Sequence, residues 1–284
     1  MDLTGAADLH CHFGPDPHRE RSVDAFDAAR DARDAGHRAI VLKSHDTPTA
    51  ALAWAVRRQV HGIDVFGGIC CDREAGGVNP AAVESALRLG ARVVWLPTLS
   101  SHQDQLNGVA AQLGIPGPGL RVVDDAGALT AETREVAALV REHDAVLATG
   151  HISADEHDVV IRELAGDTTV LVTHATEALA GPNLDAGHCA ELAARGAWIE
   201  LCALTCIGAL ATRSVTEMLA TIAAVGVERI TLATDFGQAV NPRPAAGLQS
   251  YADALFAAGL SERDIRRMAC ANPTRLLRLD DGAA

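Results

Sequence analysis

The stretch Ala7-Asp8-Leu9-His10-Cys11-His12-Phe13-Gly14-Pro15-Asp16 decides how this chain is read. Two histidines, one residue apart, follow a short apolar run. Side chains two apart on a strand lie on the same side. His10 and His12 are therefore expected to face one way, aiming two nitrogens at one metal ion, with Cys11 turned into packing. Whether that spacing carries chemistry depends on what ends the other strands.

Working outward, short apolar and β-branched runs recur at 6–10, 38–43, 63–70, 91–96, 145–149, 169–173, 197–201 and 229–233. Between them lie Ala-rich segments with helix signals, at 22–35, 49–60, 79–89, 130–143, 153–164, 185–194 and 214–224. Gly36, Gly90, Gly196 and Gly226 follow four of them as stops. Asn79-Pro80 supplies an N-cap followed by a proline at the first helical position. Eight strands alternating with helices predict an α/β fold, a (β/α)8 TIM barrel formed as a single domain over 1–284. A doubly wound sheet is the structural alternative. The connection 97–144 is longer than one helix requires and is expected to cross the barrel top, with a small hairpin in LRVVDDAGAL (120–129). Further helices are expected after the last strand, at 247–258 and 261–279, the second interrupted at Asn272-Pro273.

Composition narrows the class. The chain has 284 residues, 48% hydrophobic and only 3% aromatic, so the core must be built from Ala, Val, Leu and Ile. A formal net charge of −13 disfavours nucleic acid and anionic membranes as partners. No run is long enough to span a membrane, and Met1-Asp2-Leu3-Thr4 lacks a signal-peptide n-region. The seven cysteines form no C-x-x-C pair and read as buried free thiols in a reducing compartment. The expectation is a cytoplasmic protein acting on a small molecule, with a homo-oligomer open.

The histidines fall at strand ends. His10 and His12 end the first strand, Lys43-Ser44-His45 the second, His151 the fifth, His174 the sixth and Asp235 the eighth, while His102 lies in the loop after the fourth. In a (β/α)8 barrel these ends converge on the face that carries active sites. Imidazole with carboxylate favours a divalent metal, zinc first, with manganese, iron or cobalt as alternatives to it. One ion or two fit this number of donors.

H-x-H ending strand one, single histidines ending strands five and six, and an aspartate ending strand eight resemble the amidohydrolase superfamily of metal-dependent barrels. The closing CANPTRLLRL is similar to a helix that often ends those proteins, and GPDP, LKSH, WLPT, TGHIS and ATDFGQ look like a poorly characterised subgroup. The resemblance runs from Asp8 to Leu279 and implies a metal-dependent hydrolase without fixing its substrate; the expected reaction is cleavage of a C–N or C–O bond, as in an amide, cyclic amide or lactone. It implies His10, His12 and Asp235 on one metal, His151 and His174 on a second, and Asp235 as the base that takes a proton from water. One departure stands out. Strand four ends WLPTLSSH, without the lysine or glutamate that bridges two metals in many members. Lys43, His45 or His102 fills that role, or one metal alone binds tightly. DLHCH followed by SHDT is also similar to the opening of the PHP phosphoesterases, where His45 would be a ligand. A metal-dependent decarboxylase and a non-catalytic metal-binding barrel are the remaining readings.

Other residues carry two readings each. Asp235 is a ligand and base, or a helix cap. Lys43 is carboxylated, binds a substrate carboxylate or forms a buried ion pair. Arg19, Arg21 and Arg73 follow strands one and three and are either anion contacts or solvated loop residues. His102 and Gln238 are candidate substrate contacts, and Glu200, within strand seven, needs a partner if buried.

Overall fold

The computed structural model describes residues 1–279. Eight parallel strands run in sequential order: β1 Ala7–His12, β2 Ala39–Lys43, β3 Asp64–Cys70, β4 Ala91–Trp95, β5 Val146–Ala148, β6 Val170–Val172, β7 Trp198–Cys202 and β8 Ile230–Ala233. The expected (β/α)8 barrel is thus observed. Its seam between β8 and β1 is made by a parallel bridge at Cys11 and Phe236, with His12 N donating to Phe236 O and Asp235 N to His10 O, each 2.9 Å. Asp8 reinforces that seam by accepting from Thr234 N at 3.0 Å.

Burial sorts each strand into two faces. Leu9, Val41, Val93, Trp95 and Leu171 fill the barrel interior, floored by Leu276 and Leu277. Cys11, Ile40 and Leu42 point outward against helices Ala25–Asp34 and Ala50–Arg57. Simple alternation from Leu9 would carry Cys11, not the histidines, inward. The register between β1 and β2 shifts between Asp8 and Cys11. That one-residue irregularity changes the phase, so Leu9 packs the interior while His10 and His12 both face the mouth.

The helices form where their caps are written. Ser153 and Ser214 make full capping boxes with Glu156 and Glu217, and Asn79 caps Pro80–Arg88. The segment after β4 folds into two short helices, His102–Leu106 and Val109–Gln112, that were not among the expected elements. The expected hairpin there is a tight turn bridging Val123 and Leu129. The chain ends in helices Pro244–Ala257, Glu262–Arg266 and Asn272–Leu276. A π turn over Arg267–Ala271 carries the chain into Pro273, whose missing N–H a regular helix would not accommodate. Among the described residues all seven cysteines are free, and no helix is long and apolar enough to cross a membrane.

Candidate metal centre

Five imidazoles close a ring at the barrel mouth. Their centroids are separated by 5.3 Å (His10–His12), 4.9 Å (His12–His45), 6.0 Å (His45–His151), 4.7 Å (His151–His174) and 5.8 Å (His174–His10). All five are buried. Asp235 enters from β8 with Oδ1 at 3.1 Å from His10 Nε2 and 3.0 Å from His12 Nε2. The strand ends predicted from the sequence therefore meet.

Three of the rings are held by their outer nitrogen. His10 Nδ1 lies 3.0 Å from Glu200 Oε2, and that same oxygen accepts from the His174 backbone N–H at 3.0 Å. Glu200 thus finds its partner in a histidine. His151 Nδ1 lies 2.6 Å from Asp104 Oδ2. His45 Nδ1 donates to Thr98 Oγ1 at 2.7 Å, and Thr98 Oγ1 donates in turn to Asp72 Oδ2. A histidine whose Nδ1–H is held by a carboxylate or hydroxyl presents a lone pair on Nε2, the arrangement that orients metal-ligating imidazoles. The buried Nδ1 atoms of His12 and His174 have no protein partner.

Electrostatics favour the ligand forms of His12, His45, His174 and Asp235. Burial, together with neighbouring cationic and imidazole groups, pushes His12, His45 and His174 well below the usual histidine range, so each is neutral at pH 7. For Asp235, burial opposes ionisation, but the imidazoles of His10 and His12 outweigh it and hold the carboxyl well below its usual range. Burial also works against a charged His10, and the carboxylates of Asp235 and Glu200 overcome it and raise that histidine. The neutral imidazoles of His12, His45 and His174, an ionised carboxylate and orphaned ring nitrogens on one buried ring fit a divalent ion, which would displace the proton that the two carboxylates favour on His10. His10, His12 and Asp235 form one group of donors; His45, His151 and His174 lie beside it.

Backbone geometry at the site is strained. His174 and Asp235 hold φ of 26° and 53°, in the left-handed region that residues with a Cβ rarely adopt. Before His151, Gly150 has φ +64°, and a Cβ there would sit 2.2 Å from Leu96 O. Only glycine lets β5 turn at this point and place His151.

The bridge sought on β4 is absent from that strand. Trp95 ends it and packs its ring 6.0 Å from that of His10. Lys43 from β2 occupies the neighbouring position, with Nζ 3.0 Å from His10 Nε2 and 5.5 Å from the Trp95 ring centroid. Among the described residues no carboxylate pairs with this buried ammonium.

The site opens into a cavity with an empty volume of about 650 Å³, its open mouth included. Arg19 and Gln238 line it, and Gln238 donates through Nε2 to Asp235 O at 2.7 Å. Arg73 and His102 do not line it. The Arg73 guanidinium donates to Pro118 O, and His102 begins the first short helix of the excursion, its N–H bound to Leu120 O at 2.8 Å. The sequence reading missed Asp104, Asp72 and Glu177. Asp104 follows Ser101 by three residues, which reads as a helix cap and gives no hint of a histidine partner.

The model of a family described as "Family of unknown function (DUF6282)" matches residues 5–200. No curated protein matches the sequence. Among solved structures, an amidohydrolase from Pseudomonas aeruginosa superposes with a TM-score of 0.65 at 13% identity, covering 97% of this chain and 96% of that one. The dipeptidase AC, a metallopeptidase, gives 0.64 at 15% identity over 99% and 100%. A 2,6-dihydroxybenzoate decarboxylase gives 0.55 at 14% over 99% and 100%. These likenesses bear out the (β/α)8 barrel as the fold.

Proposed function

The chain belongs to the family of unknown function DUF6282, and from its barrel mouth we propose that it is a metal-dependent hydrolase. The reaction is cleavage of a C–N or C–O bond in a small amide, cyclic amide or lactone. The observation that carries this reading is the closed ring of five imidazoles, three of them pinned through Nδ1, around the ionised Asp235. His10, His12 and Asp235 would hold one divalent ion, zinc first, and His151 and His174, with His45 beside them, a second. When bound, such an ion supplies Lewis acidity and lowers the pKa of water.

The chain's own groups do the rest. Asp235 accepts the proton of the attacking water at a carboxylate oxygen and returns it to the leaving nitrogen or oxygen. Lys43, buried and without a carboxylate, donates to the substrate oxygen that gains negative charge. Glu200, Asp104 and the Thr98–Asp72 pair keep the imidazoles in one tautomer. Free, mostly buried thiols support a reducing, cytoplasmic setting.

A decarboxylase is the second reading, favoured by the similarity of the whole chain to 2,6-dihydroxybenzoate decarboxylase. A panel of lactones, cyclic amides, p-nitrophenyl phosphate and aromatic carboxylates, assayed with added zinc or manganese, separates the readings. Metal-dependent turnover of a lactone or amide is expected. Turnover confined to the phosphate or to carbon dioxide release would replace the hydrolase.

A further inference from the structure

The cavity above the histidines has two unlike sides. The loop after β1 brings His18, Arg19 and Arg21 to it. Across the mouth, loops after β4, β6 and β7 contribute Leu99, Val109, Leu113, Leu179, Leu204 and Leu210, an aliphatic wall without an aromatic ring. In the closed barrel the loops after β4 and β6 lie three strands from β1 and the loop after β7 two, so the aliphatic wall is set apart from the arginines around the mouth.

The cationic side is built rather than incidental. Asp16 organises it: Oδ2 accepts from Arg21 Nε at 3.0 Å and Nη2 at 2.6 Å, and Oδ1 from the backbone N–H of His18 and Arg19 at 2.8 and 2.9 Å. The Arg21 side chain is only 4% exposed, yet its Nη1 has no partner. A buried guanidinium N–H without an acceptor is costly unless a ligand supplies one. Arg19 is exposed and makes no ion pair among the described residues, whereas His18 is taken by Asp46 at 3.0 Å. Lys43 adds a further cation. Of the carboxylates at the cavity, Asp235 is engaged by His10 and His12, and Glu177 lies across the mouth, its Oε1 tied to Ala178 N and Leu179 N and its buried Oε2 without a partner. In a chain of net charge −13, cations gathered at this one mouth draw in an anion that the rest of the surface repels.

We propose that the substrate is a small carboxylate with an aliphatic body, its carboxylate seated on Arg19 and Arg21 and its chain against the leucine wall. This deepens the hydrolase reading and rests on it for the position of the scissile bond, which must lie between the two ends.

The test is calorimetric binding of hexanoate, hexanamide and acetate to the full-length protein as purified with its metal, and again after chelation. Hexanoate is expected to bind at least about tenfold more tightly than either of the others. Arg19→Gln and Arg21→Gln should each weaken it by about tenfold, Arg19→Lys should retain it, and chelation should leave most of it. Arg19 is exposed, so its substitution keeps the inference testable even if Arg21→Gln disturbs the loop. Equal binding of hexanamide, or hexanoate binding that is abolished by chelation and indifferent to both arginines, would overturn the inference. Arginine-dependent binding without metal-dependent turnover would retire the hydrolase and leave this anion site standing. Turnover of neutral amides with no preference for a carboxylate would retire the anion site and leave the hydrolase.

Discussion

Asp235 Oδ1 stands between the Nε2 atoms of His10 and His12, 3.1 and 3.0 Å away, with each partner brought in by the strand seam itself. Asp235 N donates to His10 O, and His12 N donates to Phe236 O, so the same backbone bonds that join β8 to β1 fix the ligand group. Fold closure and site assembly are here one event. Asp235→Asn keeps an oxygen for a metal but loses the proton acceptor. It is expected to retain bound metal while lowering kcat about 100-fold or more, measured by metal content beside turnover. Equal losses of metal and turnover would count against the base.

Asp104 reaches His151 from a five-residue helix and also accepts from Gly181 N at 2.9 Å. Asp104→Asn can keep the Gly181 bond while disturbing the tautomer of His151. Metal affinity is expected to fall about 10- to 100-fold with little change in Tm, followed by titration against a competing chelator. A fall in Tm with unchanged affinity would assign Asp104 to the excursion's packing alone.

Glu200 serves His10 and the His174 backbone from one oxygen, with Oε1 left unpartnered in the barrel. Glu200→Gln should weaken metal binding by a similar factor. It is not expected to unfold the protein, because an amide is cheaper to bury than an ion. Thermal unfolding and metal titration of the same preparation check both halves.

Gly150→Ala would bring a methyl to 2.2 Å from Leu96 O at a residue with φ +64°. The cost is expected to be at least about 2 kcal/mol of stability. Denaturant unfolding measures it; a loss within about 0.5 kcal/mol would mean that the turn before His151 is looser than described.

His37 is pulled down to about 4 by burial, against an ordinary value of 6.5. The unfolded chain therefore binds a proton that the folded chain refuses. Stability from this residue is present above about pH 6.5 and drains away as pH falls towards 4, by on the order of 3 kcal/mol. His37→Gln should lessen the dependence of unfolding free energy on pH across that window, the remainder staying with the other buried histidines held low. An unchanged slope would locate the acid sensitivity elsewhere.

Strand count and strand-end chemistry were legible because a parallel barrel writes both locally: a buried apolar run, then a residue that faces the mouth. His174 follows VLVT and Asp235 follows TLAT directly, and His151 follows VLAT after one glycine, Gly150. What the sequence hid was phase and reach. The irregularity between Asp8 and Cys11 leaves no mark in composition, yet it turns His10 and His12 inward together. Asp104 and Asp72 act on rings more than 25 positions away along the chain, through contacts that no spacing rule encodes. Arg73 and His102 looked like pocket residues because they follow strands, but neither lines the cavity: the Arg73 guanidinium is bound to Pro118 O and His102 starts a helix of the excursion.

The most direct measurement of the central claim is elemental analysis of the purified protein beside its His10→Ala/His12→Ala double variant. At least about one divalent ion per chain is expected in the parent, falling below about a tenth in the variant while the variant stays folded by circular dichroism. A parent with little metal that gains none on adding zinc or manganese, or a variant with undiminished content, would contradict it.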